Sequence, residues 1–243
     1  MVNLMDDVKK ECWSKLLENN MNYYPITVVD NFYENPDEIR KFALSQEYKH
    51  CFEIKDYPFT FPGSRTEDLS VIHPELFQKV CHKLTSLFHN FEHDVLRWQI
   101  STCFQSVTKD FERGVIHHDE NTVFAGVLYL NPKSSKNSGT TLYKEGKSFD
   151  PSKYEAALKA NDDRFKKNQP VDTTYHQMFE EIVNVQNIYN SLIVYEGHHH
   201  HSANEFFGDT LENSRLAQVF FCHRVDATKE SAFPLLRAKE III

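Results

Sequence analysis

The chain is 243 residues long, 40% hydrophobic and 26% charged, with a formal net charge of -8. That length is enough for a sizeable core and fits one domain spanning residues 1–243. An acidic chain without clustered Lys and Arg excludes a nucleic-acid footprint, and no apolar run approaches the roughly 20 residues that span a bilayer. Neither nucleic acid nor a membrane is therefore expected as a partner.

The opening stretch MVNLMDDVKKECWSKLLENN reads as a short helix. It is charged and lacks a signal-peptide core, which predicts a cytoplasmic protein. YPITVVDNFY (Tyr24–Tyr33) has strand composition. In NPDEIRKFALSQ, Asn35 is placed to cap a helix, Pro36 suits its first turn, and Asp37 and Glu38 complement its positive end. DYPFTFPGSRTEDL is punctuated by Pro58, Pro62 and Gly63 and reads as a loop. Within it Arg65 reads as stabilising a turn, with a reach into a pocket as the other reading. HPELFQKVCHKLTSLFHNF carries Leu76, Val80, Leu84, Leu87 and Phe88 at helical spacing, so a helix lays one face on a sheet.

From about Arg97 the texture changes to strands and turns. RWQISTCFQSV, FAGVLYLNP (Phe124–Pro132, stopped by Asn131-Pro132), GTTLYK (Gly139–Lys144), IYNSLIVYEG (Ile188–Gly197) and RLAQVFFCHRV (Arg215–Val225) are the predicted strands. Between Asp150 and Val185 lies an insert of helical, polar stretches, read as a surface excursion, with a lid over the substrate as the second reading. The terminal EIII is a short strand or a frayed end. Helices first and strands later predict a mainly β fold with flanking helices: a helical support over about residues 1–96 and a sandwich or barrel core over about residues 97–225. Cys12, Cys51, Cys81, Cys103 and Cys222 are scattered, with no CxxC pair, and read as small buried apolar residues rather than disulfides or a zinc knuckle.

The chemistry begins in VIHHDENTVF. His117 and Asp119 stand two apart, so an extended backbone points both to one side and His118 to the other. One imidazole and one carboxylate leave a divalent ion short of ligands. A second histidine from a distant strand gives two nitrogens and one oxygen with open positions, which suits non-haem Fe(II). The run His198–His201 in LIVYEGHHHHSANEFFG is the natural source. His199 and His201 share one side of an extended backbone and His198 and His200 the other; only one is needed. Arg215 shares a strand face with Ala217, Val219 and Phe221. A guanidinium there is costly to bury unless an anion meets it, and its planar fork suits a carboxylate. The other reading places Arg215 at the strand mouth, paired with Asp209 or Glu212.

Taken together, these residues resemble the Fe(II)- and 2-oxoglutarate-dependent dioxygenase superfamily, in its prolyl 4-hydroxylase-like branch. The pattern is His117-x-Asp119, then Tyr129-Leu130-Asn131, Gly139-Thr140, a histidine before a serine at His201-Ser202, and Arg215, across roughly Gln99 to Val225. The N-terminal VVDNFYENPDEIRKFAL and FPGSRTEDL are similar to the leading segment of small oxygenases of this kind. The resemblance implies a double-stranded β-helix core of the jelly-roll, cupin-like type. It implies that His117, Asp119 and His201 bind iron, with His201 preferred to His199 because the superfamily histidine commonly precedes a small polar residue. It implies that Arg215 grips the far carboxylate of 2-oxoglutarate and that Tyr129 hydrogen-bonds the same group. The chain departs from the pattern at Ser138, where relatives carry a first glycine, and at Ala217, where many carry Ser or Thr. The carboxylate of Asp119 disfavours the halogenating variants, which lack it.

The resemblance implies hydroxylation of a C–H bond, coupled through O2 to oxidative decarboxylation of 2-oxoglutarate, with ascorbate as an accessory and an amino acid, peptidyl residue or small metabolite as substrate. Competing expectations are desaturation, cyclisation or demethylation at the same centre, a non-catalytic β-helix module that binds a ligand or protein partner, and a histidine-rich metal buffer using His198–His201.

Overall fold

Residues 24, 26–54, 59–89 and 95–227 are described in the computed structural model of the chain. The helix expected in the first 20 residues and the terminal EIII lie outside them. In chain order the strands are β1 (Ile26–Val29), β2 (Lys49–His50), β3 (Ser64–Arg65), β4 (Leu96–Val107), β5 (Phe124–Tyr129), β6 (Thr140–Glu145), β7 (Phe179–Val185), β8 (Leu192–Glu196), β9 (His200–Ala203) and β10 (Arg215–Ala227). The helices are α1 (Pro36–Leu44), α2 (Leu69–Ile72), α3 (Pro74–Ser86) and α4 (Pro151–Lys166).

The strands form two antiparallel sheets. The major sheet has the order β1-β8-β5-β10-β4-β3-β2 and the minor sheet β7-β6-β9. They face each other: Leu142, Val183 and Val185 of the minor sheet pack against Ala125, Val127, Tyr129, Ile193, Tyr195 and Ala217 of the major one. This is the double-stranded β-helix expected. On the other face of the major sheet, Phe77, Val80, Cys81 and Leu84 of α3 and Ala43 of α1 meet Phe104, Leu128 and Phe220 in the largest apolar cluster. Each fully buried Phe or Leu there stabilises the fold by about 1.5–3 kcal/mol, so this buttress anchors the sheet from behind.

Local chemistry accounts for the boundaries. α1 starts with Pro36 and carries Asp37 and Glu38 in its first turn, as expected, but the Asn35 side chain makes no capping bond. α2 is capped by Asp68, whose Oδ1 accepts from Ser70 N and whose Oδ2 accepts from Thr102 N of β4. α3 starts at Pro74, with His73 Nδ1 accepting from Leu76 N. The loop expected over DYPFTFPGSRTEDL holds the two-residue β3. Gly63, at φ +69, makes that possible: a Cβ there would stand 2.2 Å from Ser106 O.

Two expectations need correction. The polar insert does not run to Val185. FEEIVNV forms β7, paired along the whole of β6 and broken by a bulge between Leu142 and Tyr143. The segment does not alternate with period two, because the bulge interrupts it and the adjacent Glu180 and Glu181 are both exposed. Nor is the remaining helical segment simply an outer excursion. Tyr154 and Tyr175 pack with Tyr143 and Phe179 on the outer face of the minor sheet, and Phe165 and Val171 pack with Phe61 and Phe206 at one end of the space between the sheets. Cys51, Cys81, Cys103 and Cys222 are free thiols, the first, second and last of them buried. Among the described residues no helix is long and apolar enough to cross a membrane.

Candidate metal centre

His117 lies just ahead of β5 and pairs backbone to backbone with His201 on β9. His117 N donates to His201 O at 3.1 Å and His201 N to His117 O at 2.8 Å. Directly opposed residues of an antiparallel pair point to the same side, so the two imidazoles lie together, ring centroids 4.4 Å apart. Asp119 joins them because its N–H donates to Gly197 O at 2.8 Å. Gly197 is required at that approach, since a Cβ would stand 2.3 Å from Thr122 O. The donor atoms of His117, Asp119 and His201 all lie within 4.8 Å of one another.

The orientation of the rings is set from behind. His117 Nδ1 lies 3.1 Å from Val115 O, and His201 Nδ1 lies 2.8 Å from His199 O. A carbonyl can only accept, so in each neutral imidazole Nδ1 carries the proton and Nε2 presents a lone pair. Those lone pairs face the Asp119 carboxylate, His117 Nε2 at 3.6 Å from Oδ1 and His201 Nε2 at 3.5 Å from Oδ2. Asp119 Oδ2 is buried and has no hydrogen-bond partner. Three acceptors turned on one point repel one another unless a cation lies between them. Two imidazole nitrogens and one carboxylate oxygen are the donor set of a first-row divalent ion with open positions. Burial moves the His201 pKa down from 6.5 to about 4, reinforced by His117, so its lone pair is free at neutral pH.

The other histidines of the run do not join this set. His199 Nε2 lies 3.0 Å from Glu196 Oε2. His200 points to the outer face of the minor sheet, among Phe149, Tyr154 and Phe179, with His118 edge-on at 5.3 Å. Alternation along β9 thus separates His200 from His201, as it separates His118 from His117 and Asp119.

Deeper between the sheets, Arg215 opens β10 and is only 5% exposed. Its Nε donates to Ser138 O at 2.9 Å, and its guanidinium lies 5.5 Å from the Tyr129 ring and 5.8 Å from that of Phe206. Among the described residues no carboxylate pairs with it. Asp209 is held by Lys109 at 3.3 Å and by Asn213, while the Glu212 carbonyl accepts from Arg40. An uncompensated buried charge costs about 3–5 kcal/mol, and burial accordingly lowers the Arg215 pKa. Tyr129 directs its hydroxyl to Thr140 Oγ1 at 3.0 Å; burial raises its pKa and Arg215 opposes that rise. The two departures in sequence fit here. Ser138 lends its backbone carbonyl to Arg215 and turns its hydroxyl to Ser135 O. Ala217 sits opposite Tyr129 in the ladder. Gly139 is indispensable, because a Cβ would stand 1.8 Å from Val185 O.

Three contributors were not anticipated. Asn131 accepts from Leu216 N and donates to Ser214 O, both at 2.8 Å, and so clamps the backbone on either side of Arg215. The Tyr195 ring lies 4.6 Å from the His201 ring at a tilt of 51°; burial raises its pKa, and the Asp119 charge adds to the rise. Tyr175 reaches from the segment after α4 to the backbone of Ile116, directly before His117. All three act through long-range contacts, and only the Tyr129-Leu130-Asn131 motif flagged one of them.

Residues 15–215 match the model of a family described as "Family of unknown function (DUF6445)". No curated protein matches the chain. Among solved structures, HygX from Streptomyces hygroscopicus, crystallised with nickel and 2-oxoglutarate bound, is similar with 13% identity, 82% of each chain covered and a TM-score of 0.50. EvdO2 from Micromonospora carbonacea var. aurantiaca has 12% identity, 86% of this chain and 90% of that chain covered, and a TM-score of 0.49. The non-heme alpha ketoglutarate dependent epimerase SnoN from nogalamycin biosynthesis has 11% identity, 85% and 81% coverage, and a TM-score of 0.49. The likeness to HygX is one of fold.

Proposed function

The chain belongs to the DUF6445 family, and from that premise we propose that it is a non-haem Fe(II) dioxygenase coupling oxidative decarboxylation of 2-oxoglutarate to hydroxylation of a C–H substrate. The observation that supports this reading most strongly is the convergence of His117 Nε2, His201 Nε2 and the Asp119 carboxylate, whose donor atoms lie within 4.8 Å of one another while the buried Asp119 Oδ2 has no hydrogen-bond partner.

When bound, Fe(II) with 2-oxoglutarate supplies the activation of O2 and the oxidising power. The chain's own residues do the rest. His117, Asp119 and His201 hold the metal, with their imidazole tautomers fixed by the Val115 and His199 carbonyls. Arg215, its Nε already committed to Ser138 O, offers the rest of its guanidinium to the far carboxylate of 2-oxoglutarate. The hydroxyls of Tyr129 and Thr140 stand beside it. Val127, Ile193, Leu142 and Ala217 keep the space between the sheets apolar and so exclude water from the reacting atoms. We further propose the prolyl 4-hydroxylase-like branch on the Tyr129-Leu130-Asn131 motif, a single oxygenase domain over residues 1–243, a cytoplasmic setting, and an amino acid, peptidyl residue or small metabolite as substrate, with ascorbate as an accessory reductant.

The test is direct. Protein purified anaerobically and given Fe(II), 2-oxoglutarate and O2 is expected to form succinate, and the His117→Ala variant is expected to form none. Failure of iron-loaded protein to bind 2-oxoglutarate would overturn the proposal in favour of a non-catalytic ligand-binding module.

A further inference from the structure

Arg65 is unexplained by the site described so far. In register it pairs with Gln105 of β4, which pairs with Ala217 of β10, which pairs with Tyr129 of β5. Directly opposed residues share a face, so Arg65 lies on the same inner face of the major sheet as Tyr129 and Ala217, not on an outer turn. Its guanidinium lies 4.2 Å from the centroid of the Phe61 ring and 5.5 Å from that of Phe221. Gln105, itself buried, donates through Nε2 to Pro62 O at 3.0 Å and turns Oε1 toward Arg65 Nη2 at a long 3.4 Å. The Arg65 Nε is buried and has no hydrogen-bond partner. Among the described residues no carboxylate pairs with Arg65, and the neighbouring Lys49 already pairs with Glu47 at 3.4 Å.

The row of Phe221 runs through Ala125 to Tyr195, whose ring packs at a tilt against His201. The sheet floor between Arg65 and the candidate metal ligands thus carries Ala125, Val127, Val219 and Ala217, side chains no larger than valine. Charge points the same way. A divalent ion, the Asp119 carboxylate, the Arg215 guanidinium and doubly charged 2-oxoglutarate cancel, whereas Arg65 adds one positive charge to the same space. An unpaired Nε–H beside the Nη groups presents a planar edge that matches a carboxylate bidentately, and the flanking phenyl rings favour an apolar body attached to it.

We propose that Arg65, oriented by Gln105 and flanked by Phe61 and Phe221, is the substrate-anchoring residue and that the substrate carries a carboxylate on an apolar or aromatic body. This rests on the oxygenase reading and deepens it.

The test uses full-length protein loaded with Mn(II) and saturated with 2-oxoglutarate. Calorimetry of 2-oxoglutarate binding is the first measurement; its failure sinks the oxygenase reading itself. The protein is then titrated with 3-phenylpropionate, with uncharged 3-phenylpropionamide, with phenyl phosphate, and with a blocked alanine pentapeptide bearing one central glutamate. We expect a carboxylate probe to bind and the amide and the phosphate to bind more weakly, with the pentapeptide separating a peptidyl from a free-acid source. Arg65→Gln should weaken that binding about 10- to 100-fold while retaining 2-oxoglutarate affinity, and Gln105→Leu should weaken it less. Proton relaxation of the bound probe should be faster with Mn(II) than with Zn(II), placing it in the metal-bearing space. Equal binding of acid and amide, stronger binding of the phosphate, an unchanged affinity in Arg65→Gln, no metal-dependent relaxation, or no carboxylate binding by protein that does bind 2-oxoglutarate would each overturn the assignment.

Discussion

The Tyr175 hydroxyl accepts from the Ile116 amide at 2.7 Å and donates to the Ile116 carbonyl at 3.1 Å. One side chain thus satisfies both backbone groups of the residue before His117. Tyr175 comes from the segment that the sequence marks as a polar insert, so that insert steadies the metal-ligand segment from the outer side of the minor sheet. Removing the hydroxyl leaves two buried polar groups, each costing about 1–3 kcal/mol. Tyr175→Phe is expected to lower metal affinity about 10-fold or more, read by Co(II) titration. Tyr154→Phe, whose hydroxyl is buried without a partner, should bind metal as the parent does and be no less stable. Equal affinity in Tyr175→Phe and the parent would show that Tyr175 does not position the ligand.

The histidine run separates into distinct roles along β9. His201→Ala should abolish stoichiometric metal binding. His199→Ala, which removes contacts to Glu196 and Tyr24, should retain it. His200→Ala should also retain it but melt lower, because it empties a half-buried seat among Phe149, Tyr154 and Phe179, at less than the about 2–5 kcal/mol of a fully buried large-to-small change. Metal analysis alongside thermal melts distinguishes the three. Loss of metal in His199→Ala with retention in His201→Ala would reverse the ligand assignment.

Among the described residues no carboxylate pairs with the buried Arg215, so its charge burdens the protein until an anion arrives. Arg215→Met should leave metal-free protein as stable as the parent or more so, by about 1–4 kcal/mol, while abolishing stabilisation by 2-oxoglutarate in metal-loaded protein. Denaturant titration with and without 2-oxoglutarate reads both effects. A destabilised Arg215→Met protein that still responds to 2-oxoglutarate would contradict this account.

Acid should unfold the metal-free protein early. Burial lowers the pKa values of His176, His200 and His201 from 6.5 to about 4. Their folded state therefore binds fewer protons than the unfolded chain in that window, and stability present above pH 6.5 is lost as pH falls toward about 4. The exposed carboxylates with lowered pKa values, Asp150 and Asp172 among them, add their loss at lower pH. Melting temperature measured from pH 8 to 4 should fall through the histidine window, and His176→Phe should flatten part of that slope. A constant melting temperature between pH 6.5 and 5 would contradict it.

Much of the candidate site could be read from residue spacing, because it depends on strand alternation. His117 and Asp119 at positions two apart, and Arg215 beside Ala217 and Val219, need only an extended backbone to define their faces. β5 was equally readable, an unbroken apolar run ahead of Asn131-Pro132. What could not be read depends on partners distant in the chain. Arg65 looked like a turn residue because β3 is two residues long and takes its face from pairing with β4. The clamp by Asn131 and the hold of Tyr175 on Ile116 are each a pair of hydrogen bonds across the fold, with no periodicity to announce them. His201 was preferred to His199 by resemblance alone. The structure gives the physical difference: β9 puts His201 directly opposite His117, while His199 precedes the strand and lies beside Glu196.

The apolar cluster of α1 and α3 lies against one side of the major sheet, and the metal ligands, Arg215 and Arg65 are all on the other. A substitution at Val219 therefore points away from the α1 and α3 buttress, whereas one at Ala125 or Val127 also meets Leu142, Val183 and Val185 of the minor sheet. The helical buttress and the candidate metal centre thus lie on opposite sides of one sheet, so packing behind the sheet can change without touching the groups in front of it.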